Sequence, residues 1–172
     1  MYDELKKYWD VLIEELPVLE KTPHEMRDHN CTDDSGTHDC IYFWPIGQEL
    51  LAQISRKLLD RQPDPDKPTI ESIKKALAPL KFINSNFKDV PWKHLLLIPD
   101  DEDWTSWKIR NEDRNKVANL AIRIVQWQIG LDQLSEDEIK ELKNEWKPLL
   151  LPALKDDLID SLWEKIEEGV HR

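Results

Sequence analysis

Six segments of this 172-residue chain carry apolar residues at steps of three and four positions, which is the repeat of an amphipathic α-helix. Most of the eleven prolines fall between these segments, where they interrupt helical hydrogen bonding. The pattern predicts an all-α fold of about six helices around one core, with at most one short strand pair. The predicted helices span residues 2–16, 46–59, 69–81, 111–129, 136–149 and 153–168.

The segments between the predicted helices are short enough for a single domain over residues 1–172. A polar, turn-rich stretch at 17–44 predicts a loop, and the Pro-rich stretch at 60–68 predicts a surface connector. Residues 94–99 and 104–109 are the two segments that we expect to form the strand pair.

Helix-end signals fix several boundaries. Thr69 is a predicted N-cap, and Ser135 with Glu138 three residues later forms a predicted capping box. Gly130 is a predicted left-handed C-cap. Gly47 stands in the first turn of the second helix, and we expect a structural role there, close packing against an aromatic neighbour such as Trp44 or Trp92.

Tryptophan is unusually frequent, with eight copies against three phenylalanines. Those on apolar helix stripes are predicted to lie in the core: Trp9, Trp127, Trp146 and Trp163. Those in loop context are better candidates for a contact surface, although burial is the favoured interpretation for them as well: Trp92, Trp104 and Trp107.

The chain carries a formal net charge of −11, which argues against a protein that binds nucleic acid or anionic membrane over its whole surface. The acid is concentrated at the ends: residues 1–40 hold 11 acidic and 4 basic side chains, and residues 131–172 hold 12 and 6. No apolar run approaches the length of a membrane span, the N-terminus lacks a signal-peptide pattern, and only two cysteines occur. We therefore expect a cytoplasmic protein with no membrane partner.

A repeated His-x-Cys triplet marks the predicted loop, at His29–Cys31 and at His38–Cys40. Imidazole and thiolate groups are the ligands of structural zinc sites, so His29, Cys31, His38 and Cys40 are candidate metal ligands. Their spacing matches none of the usual zinc patterns, and a polar loop with a chance cluster is the favoured interpretation. We expect no cofactor, with zinc as the alternative.

A row of basic residues follows the predicted strand pair into the fourth helix. Its members are candidate contacts for nucleic-acid phosphate: Lys108, Arg110, Arg114, Lys116 and Arg123. Pairing with acidic residues of the same fold is the favoured alternative. The sequence holds no nucleophile elbow, phosphate loop or dinucleotide fingerprint, so we do not expect an enzyme.

Three segments together resemble DGQHR-domain proteins, whose best-known members are the DndB-type proteins of bacterial DNA phosphorothioation clusters. YFWPIGQELLAQISRKLL at 42–59 is similar to their F-x-P-I-G-Q-x-x-L-A stretch. PWKHLLLIPDDEDW at 91–104 and KIRNEDRNKVANLAIRIVQWQIG at 108–130 are similar to their Pro-Trp-x-x-L segment and the helix after it. The Asp-Gly-Gln-His-Arg signature is missing, so the chain resembles their C-terminal helical part.

The resemblance implies a regulatory or accessory module of a bacterial DNA-modification or phage-defence system. It would act through contacts with other proteins of the same gene cluster, with weak DNA contact by this chain as an additional role. Two alternatives stay open: an acidic interaction protein that mimics DNA and inhibits a nucleic-acid-binding partner, and a small zinc-binding protein. The oligomeric state is open as well.

Overall fold

The computed structural model describes residues 2–20, 30–33, 36–87, 89–99, 107–110, 113–150 and 154–171. The chain divides into two compact units, which we call unit 1 (Met1–Ser85) and unit 2 (Asn86–Arg172). The prediction of one domain over 1–172 does not mark this boundary.

Unit 1 contains three α-helices, α1 (Tyr2–Glu15), α2 (Pro45–Asp60) and α3 (Ile70–Leu77). Short 3₁₀ helices follow α1, precede α2 and follow α3, at Pro17–Glu20, Ile41–Phe43 and Ala78–Phe82. Helix α3 packs against both α1 and α2. An antiparallel ladder joins β1 (Asn30–Asp33) to β2 (Gly36–Asp39).

Unit 2 begins with a short helix, α4 (Trp92–Leu96), which runs into strand β3 (Leu97–Pro99). Strand β3 pairs antiparallel with β4 (Trp107–Ile109). Three longer helices follow, α5 (Arg114–Gln128), α6 (Glu136–Leu150) and α7 (Asp156–Glu168), and each of them packs against the other two.

The predicted helical fold class is confirmed, and the six predicted helices appear with their ends shifted by a few residues. The largest changes are at the third helix, which becomes 3₁₀ from Ala78 beside Pro79, and at the fourth and sixth, which begin at Arg114 instead of 111 and at Asp156 instead of 153. The predicted strand pair is found at Leu97–Pro99 and Trp107–Ile109. Residues 94–96, predicted as strand, belong instead to α4.

The prediction of a loop over 17–44 with no further strand pair is wrong for part of that stretch. Residues Asn30–Asp33 and Gly36–Asp39 form the β1–β2 ladder, in which Thr32 is the partner of Thr37. Only two residues separate these strands, which is the connection length of a tight hairpin. The short polar strands lack the apolar alternation by which a strand is recognised in a sequence.

The core of unit 2 is built on tryptophan. Trp146 and Trp163 are fully buried with ring centroids 5.3 Å apart, and Trp127 stacks on Trp163 at 6.0 Å. Trp92 is also buried. Burial is thus confirmed for these four tryptophans, whereas Trp104 and the side chain of Trp107 lie outside the described residues.

Helix α1 departs from the prediction that its whole apolar stripe faces the core. Val11 and Leu16 are buried, but Leu12 is half-buried and Trp9 is 51% exposed. The core prediction for Trp9 is therefore wrong. One row of α1 side chains is enough to pack against α3, and the adjacent apolar row is left open to solvent.

The predicted helix-end signals are confirmed. Thr69 Oγ1 accepts from the backbone N–H of Ser72 at 3.1 Å, and Ser72 Oγ accepts from that of Thr69 at 3.0 Å. Gly130 has φ of +72°, and the N–H of Leu131 donates to the carbonyl of Gln126 at 2.8 Å, as in a Schellman motif.

Gly47 has the predicted structural role with a different neighbour. A Cβ at this position would collide with the backbone carbonyl of Ile41, in the 3₁₀ helix that precedes α2. The neighbour is thus a main-chain group and not an aromatic ring. The backbone N–H of Ile41 donates to the carbonyl of Ser85 at 2.8 Å, which ties this segment to the end of unit 1.

Candidate functional site

Arg110, a candidate phosphate contact, is used inside unit 2. Its Nε donates to the carbonyl of Leu95 at 2.9 Å, and its Nη2 donates to the carbonyl of Leu149 at 2.6 Å. Leu149 stands in the last turn of α6, where carbonyls have no partner within the helix and carry the negative end of the dipole. The guanidinium of Arg110 therefore joins α4 to the C-terminal end of α6.

The other members of the basic row differ in whether their side chains are engaged by residues of the same unit. Arg123 Nη1 donates to both carboxylate oxygens of Glu145, at 2.7 and 2.9 Å, so it bridges α5 and α6. Arg114 and Lys116 are exposed in the first turn of α5, and their side chains make no hydrogen bond or ion pair with any described residue. The side chain of Lys108 lies outside the described residues. Nucleic-acid contact by this row stays a prediction.

The candidate zinc ligands are only partly described. Cys31 and His38 are Cα partners in the β1–β2 ladder, whereas their side chains and all of His29 lie outside the described residues. The side chain of Cys40 is buried. Within the described ranges, no three His, Cys, Asp or Glu side chains come together as a metal site. Zinc binding at His29, Cys31, His38 and Cys40 stays a prediction.

Beside Cys40 lies a buried phenol. The hydroxyl of Tyr42 is enclosed and has no hydrogen-bond partner among the described residues. Burial raises the pKa of Tyr42 well above its usual range, and the nearby Cys40 adds to the effect. The phenol is therefore held neutral, which suits a core residue better than a catalytic acid.

An exposed apolar face on α1 is the surface feature that the sequence analysis missed. Leu5 is 63% exposed and Trp9 51% exposed, and they stand one helical turn apart, so their side chains share one face of α1. We call this pair the Leu5–Trp9 face. The periodic pattern marks this face as apolar but does not show whether another element covers it. The pattern alone therefore predicts burial for Trp9.

Unit 2 has a surface pocket of about 440 Å³ at the end of α5. Its apolar walls come from Trp127, Leu134, Ile139 and Val170. Its polar lining comes from the turn after α5, the start of α6 and the end of the chain: Gly130, Asp132, Gln133, Glu136 and His171. The sequence carries no signal for this pocket, because Val170 and His171 close it against residues 127–139, from which they are distant along the chain.

No helix in the described part of the chain has the length and apolar character that crossing a membrane requires. The chain matches no protein-family model, no curated protein and no solved structure.

Proposed function

We propose that this protein is a regulatory or accessory module of a bacterial DNA-modification or phage-defence system, and that it binds a partner protein through the Leu5–Trp9 face. The exposure of Trp9 carries the proposal of a protein contact. The resemblance of residues 42–59 and 91–130 to DGQHR-domain proteins supports the biological setting. The role needs no catalytic group and no cofactor.

The Leu5–Trp9 face has the composition of an interface centre. Tryptophan is enriched among the residues that contribute most to protein–protein binding, because it buries a large apolar area with few rotamers to fix. Covering a leucine or another large apolar side chain contributes about 1.5–3 kcal/mol before the losses of association are subtracted. Two such side chains one turn apart can anchor a partner that supplies a matching groove.

Contacts within unit 1 hold α1 in place without the Leu5–Trp9 face. Val11 is buried on the inner side of the helix, and Lys74 of α3 donates to the Glu14 carboxylate at 2.7 Å. This contact raises the pKa of Lys74. The face is therefore presented on a helix that is already folded, which reduces the ordering entropy that a partner must offset.

Charge around the Leu5–Trp9 face specifies the partner further. Residues 1–20 contain six carboxylates and two lysines. Lys6 is paired with Asp10 at 2.6 Å and Glu14 with Lys74 at 2.7 Å, so the segment that carries the face keeps a net negative charge. Complementary potentials favour association and discriminate against wrong partners. The partner that fits is a protein with an apolar groove and a basic rim.

The test is direct binding between this protein and each protein encoded in the same gene cluster, measured by biolayer interferometry with purified components. We expect one of them to bind, and we expect Trp9→Glu to weaken that binding at least tenfold. The matched control is Leu158→Glu, since Leu158 is a 46%-exposed apolar residue on α7 in unit 2. Binding that survives Trp9→Glu unchanged, or no binding by any neighbour, would contradict the proposal.

DNA contact is the weaker part of the proposed role. Arg114 and Lys116 are the described members of the basic row that remain available, while Arg110 and Arg123 are engaged within unit 2. Two phosphate contacts against a net charge of −11 predict weak binding that disappears as salt rises. A fluorescence-anisotropy titration of duplex DNA at 50 and 150 mM salt measures this; tight binding at both salt concentrations would overturn it.

A further inference from the structure

We infer that the pocket at the end of α5 binds the side chain of an arginine presented by a peptide or protein. The pocket lies wholly in unit 2, and the inference does not depend on the Leu5–Trp9 face of unit 1. Its volume of about 440 Å³ falls in the range of small-molecule and side-chain sites. The argument rests on three properties of the pocket: fixed walls, an apolar interior and an acidic mouth.

Main-chain hydrogen bonds fix the walls. The N–H groups of Leu131 and Asp132 both donate to the carbonyl of Gln126, at 2.8 and 3.1 Å, which locks the turn after α5. The N–H of His171 donates to the carbonyl of Gln128 at 2.7 Å, which fastens the chain end across that turn. A pocket built in this way needs little reorganisation when a ligand enters it.

The start of α6 forms the third wall, and its capping box fixes it. The backbone N–H of Ser135 donates to Glu138 Oε2 at 2.8 Å, and Ser135 Oγ accepts from the N–H of Glu138 at 3.4 Å. The bond from the Ser135 N–H and a second one, donated by the Ser135 hydroxyl to the same carboxylate oxygen at 2.7 Å, lower the pKa of Glu138. With Glu136, Asp137 and Glu138 in the first turn, the positive end of this helix is neutralised, so the wall does not favour an anion.

The interior and the mouth differ in polarity. Trp127 is buried and Ile139 and Val170 are half-buried, so an apolar stem can pack between them. The half-buried Asp132 and the exposed Glu136 bring two carboxylates to the same pocket. A ligand with an apolar stem and a cationic head matches this arrangement.

Arginine fits better than a compact ammonium group. Its planar guanidinium pairs with carboxylates in bidentate geometry, is weakly hydrated and packs on aromatic faces. Its methylene stem would lie along Ile139 and Val170 while the head reaches the carboxylates at the mouth.

The probe that tests this inference is N-acetyl-arginine amide, with N-acetyl-citrulline amide as the uncharged ligand of nearly the same shape. Two-dimensional ¹H–¹⁵N NMR of the full chain follows each titration at constant ionic strength. We expect saturable shifts at Gly130, Asp132 and Gln133, with a Kd on the order of 1 mM for one anchored side chain. The citrulline compound should bind at least severalfold more weakly. Equal binding of the two, or shifts elsewhere in the chain, would overturn the inference.

Two variants and one control locate the site. Glu136→Gln should weaken arginine-amide binding about two- to fivefold, the range of a solvent-facing ion pair. Val170→Trp should fill the pocket and abolish the localised shifts. Asp137→Asn removes the adjacent charge, which does not line the pocket, and should leave the Kd unchanged. Equal weakening by Asp137→Asn and Glu136→Gln would show nonspecific attraction and reject the site.

Discussion

The two units use tryptophan in opposite ways. In unit 2, Trp127, Trp146 and Trp163 pack on one another and are shielded from solvent by the helices that carry them. In unit 1, Trp9 lies on a helix with the same three-and-four apolar spacing, yet half of its surface is exposed. Helical periodicity thus tells which side of a helix is apolar, and the surrounding elements decide whether that side is buried.

The polar contacts of the two units also differ in exposure to solvent. In unit 2, the guanidinium of Arg110 reaches two main-chain carbonyls in a part-buried setting. In unit 1, the link between α1 and α3 is the exposed pair of Lys74 and Glu14. Exposed ion pairs are screened by solvent and contribute little, so α1 depends mainly on its inner apolar row. The following variants test this contrast, from the largest expected effect to the smallest.

Removing a core tryptophan from unit 2 should give the largest loss of stability. Trp146→Ala deletes a fully buried side chain and leaves a cavity beside Trp163, so the free energy of unfolding should fall by about 3–5 kcal/mol. Trp9→Ala is the counterpart in unit 1 and should change the free energy of unfolding by no more than about 0.5 kcal/mol. Urea denaturation followed by circular dichroism measures both. Comparable losses of stability for the two variants would contradict the difference between the buried and the exposed tryptophan.

Replacing Arg110 should destabilise unit 2 even though the residue was a candidate for phosphate contact. Arg110→Gln removes the bonds to the carbonyls of Leu95 and Leu149, and a charged hydrogen bond of this kind is worth about 1.5–3 kcal/mol. Arg114→Gln, at an exposed position of the same basic row, should be neutral within about 0.5 kcal/mol. Thermal denaturation of the two variants decides the role: an unaltered melting temperature for Arg110→Gln would show that the guanidinium is dispensable to the fold.

Adding one methyl group at Gly47 tests the packing of unit 1. Gly47→Ala forces a Cβ against the carbonyl of Ile41, so the 3₁₀ helix and α2 must separate, at about 1–3 kcal/mol. Glu49→Ala, on an exposed position of the same helix, provides the control and should change stability by less than about 0.5 kcal/mol. Chemical denaturation measures both variants. Equal stability of Gly47→Ala and the parent protein would contradict the close approach of Gly47 to the carbonyl of Ile41.

The two capping boxes should differ in their response to acid. The Ser135–Glu138 box of unit 2 uses a carboxylate whose pKa is lowered by the bonds from Ser135, so it stabilises the folded state at neutral pH. That stabilisation is lost as the pH falls through the lowered pKa. The Thr69–Ser72 box of unit 1 uses two hydroxyls and has no such dependence.

Melting temperatures at pH 7 and pH 3 measure this difference. Glu138→Ala should melt below the parent protein at pH 7, and the difference in melting temperature should shrink as the pH is lowered to 3. Thr69→Ala should cost about 1 kcal/mol at both values. Glu141→Ala, on an exposed position of the same helix as Glu138, controls for general charge removal. A difference in melting temperature between Glu138→Ala and the parent protein that stays the same from pH 7 to pH 3 would contradict this pH dependence.

Local signals predicted most of the helical framework. Proline and capping residues set helix ends through neighbours a few positions away, so Thr69, Gly130 and Ser135 could be recognised from the sequence. The β1–β2 ladder was missed because its strands, such as Asn30–Asp33, are polar and short. Their pairing leaves no apolar pattern in the sequence.

The candidate sites were harder to predict, because each depends on residues that are distant along the chain. Arg110 has a basic side chain suited to phosphate, but its partners at Leu95 and Leu149 lie 15 and 39 positions away. The pocket at the end of α5 needs Val170 and His171 to meet the continuous stretch at 127–139. Sequence spacing carries no information about how such segments converge.

The exposure of Trp9 in the isolated protein is the measurement that tests the central claim most directly. Protein labelled with 5-fluorotryptophan gives one ¹⁹F resonance for each tryptophan, and Trp9→Phe and Trp146→Phe assign the two that matter. Exchange of H₂O for D₂O shifts the resonance of a solvent-exposed ring. We predict a clear isotope shift for Trp9 and none for Trp146. A Trp9 resonance as insensitive to solvent as that of Trp146 would show that the Leu5–Trp9 face is covered, and would contradict the account.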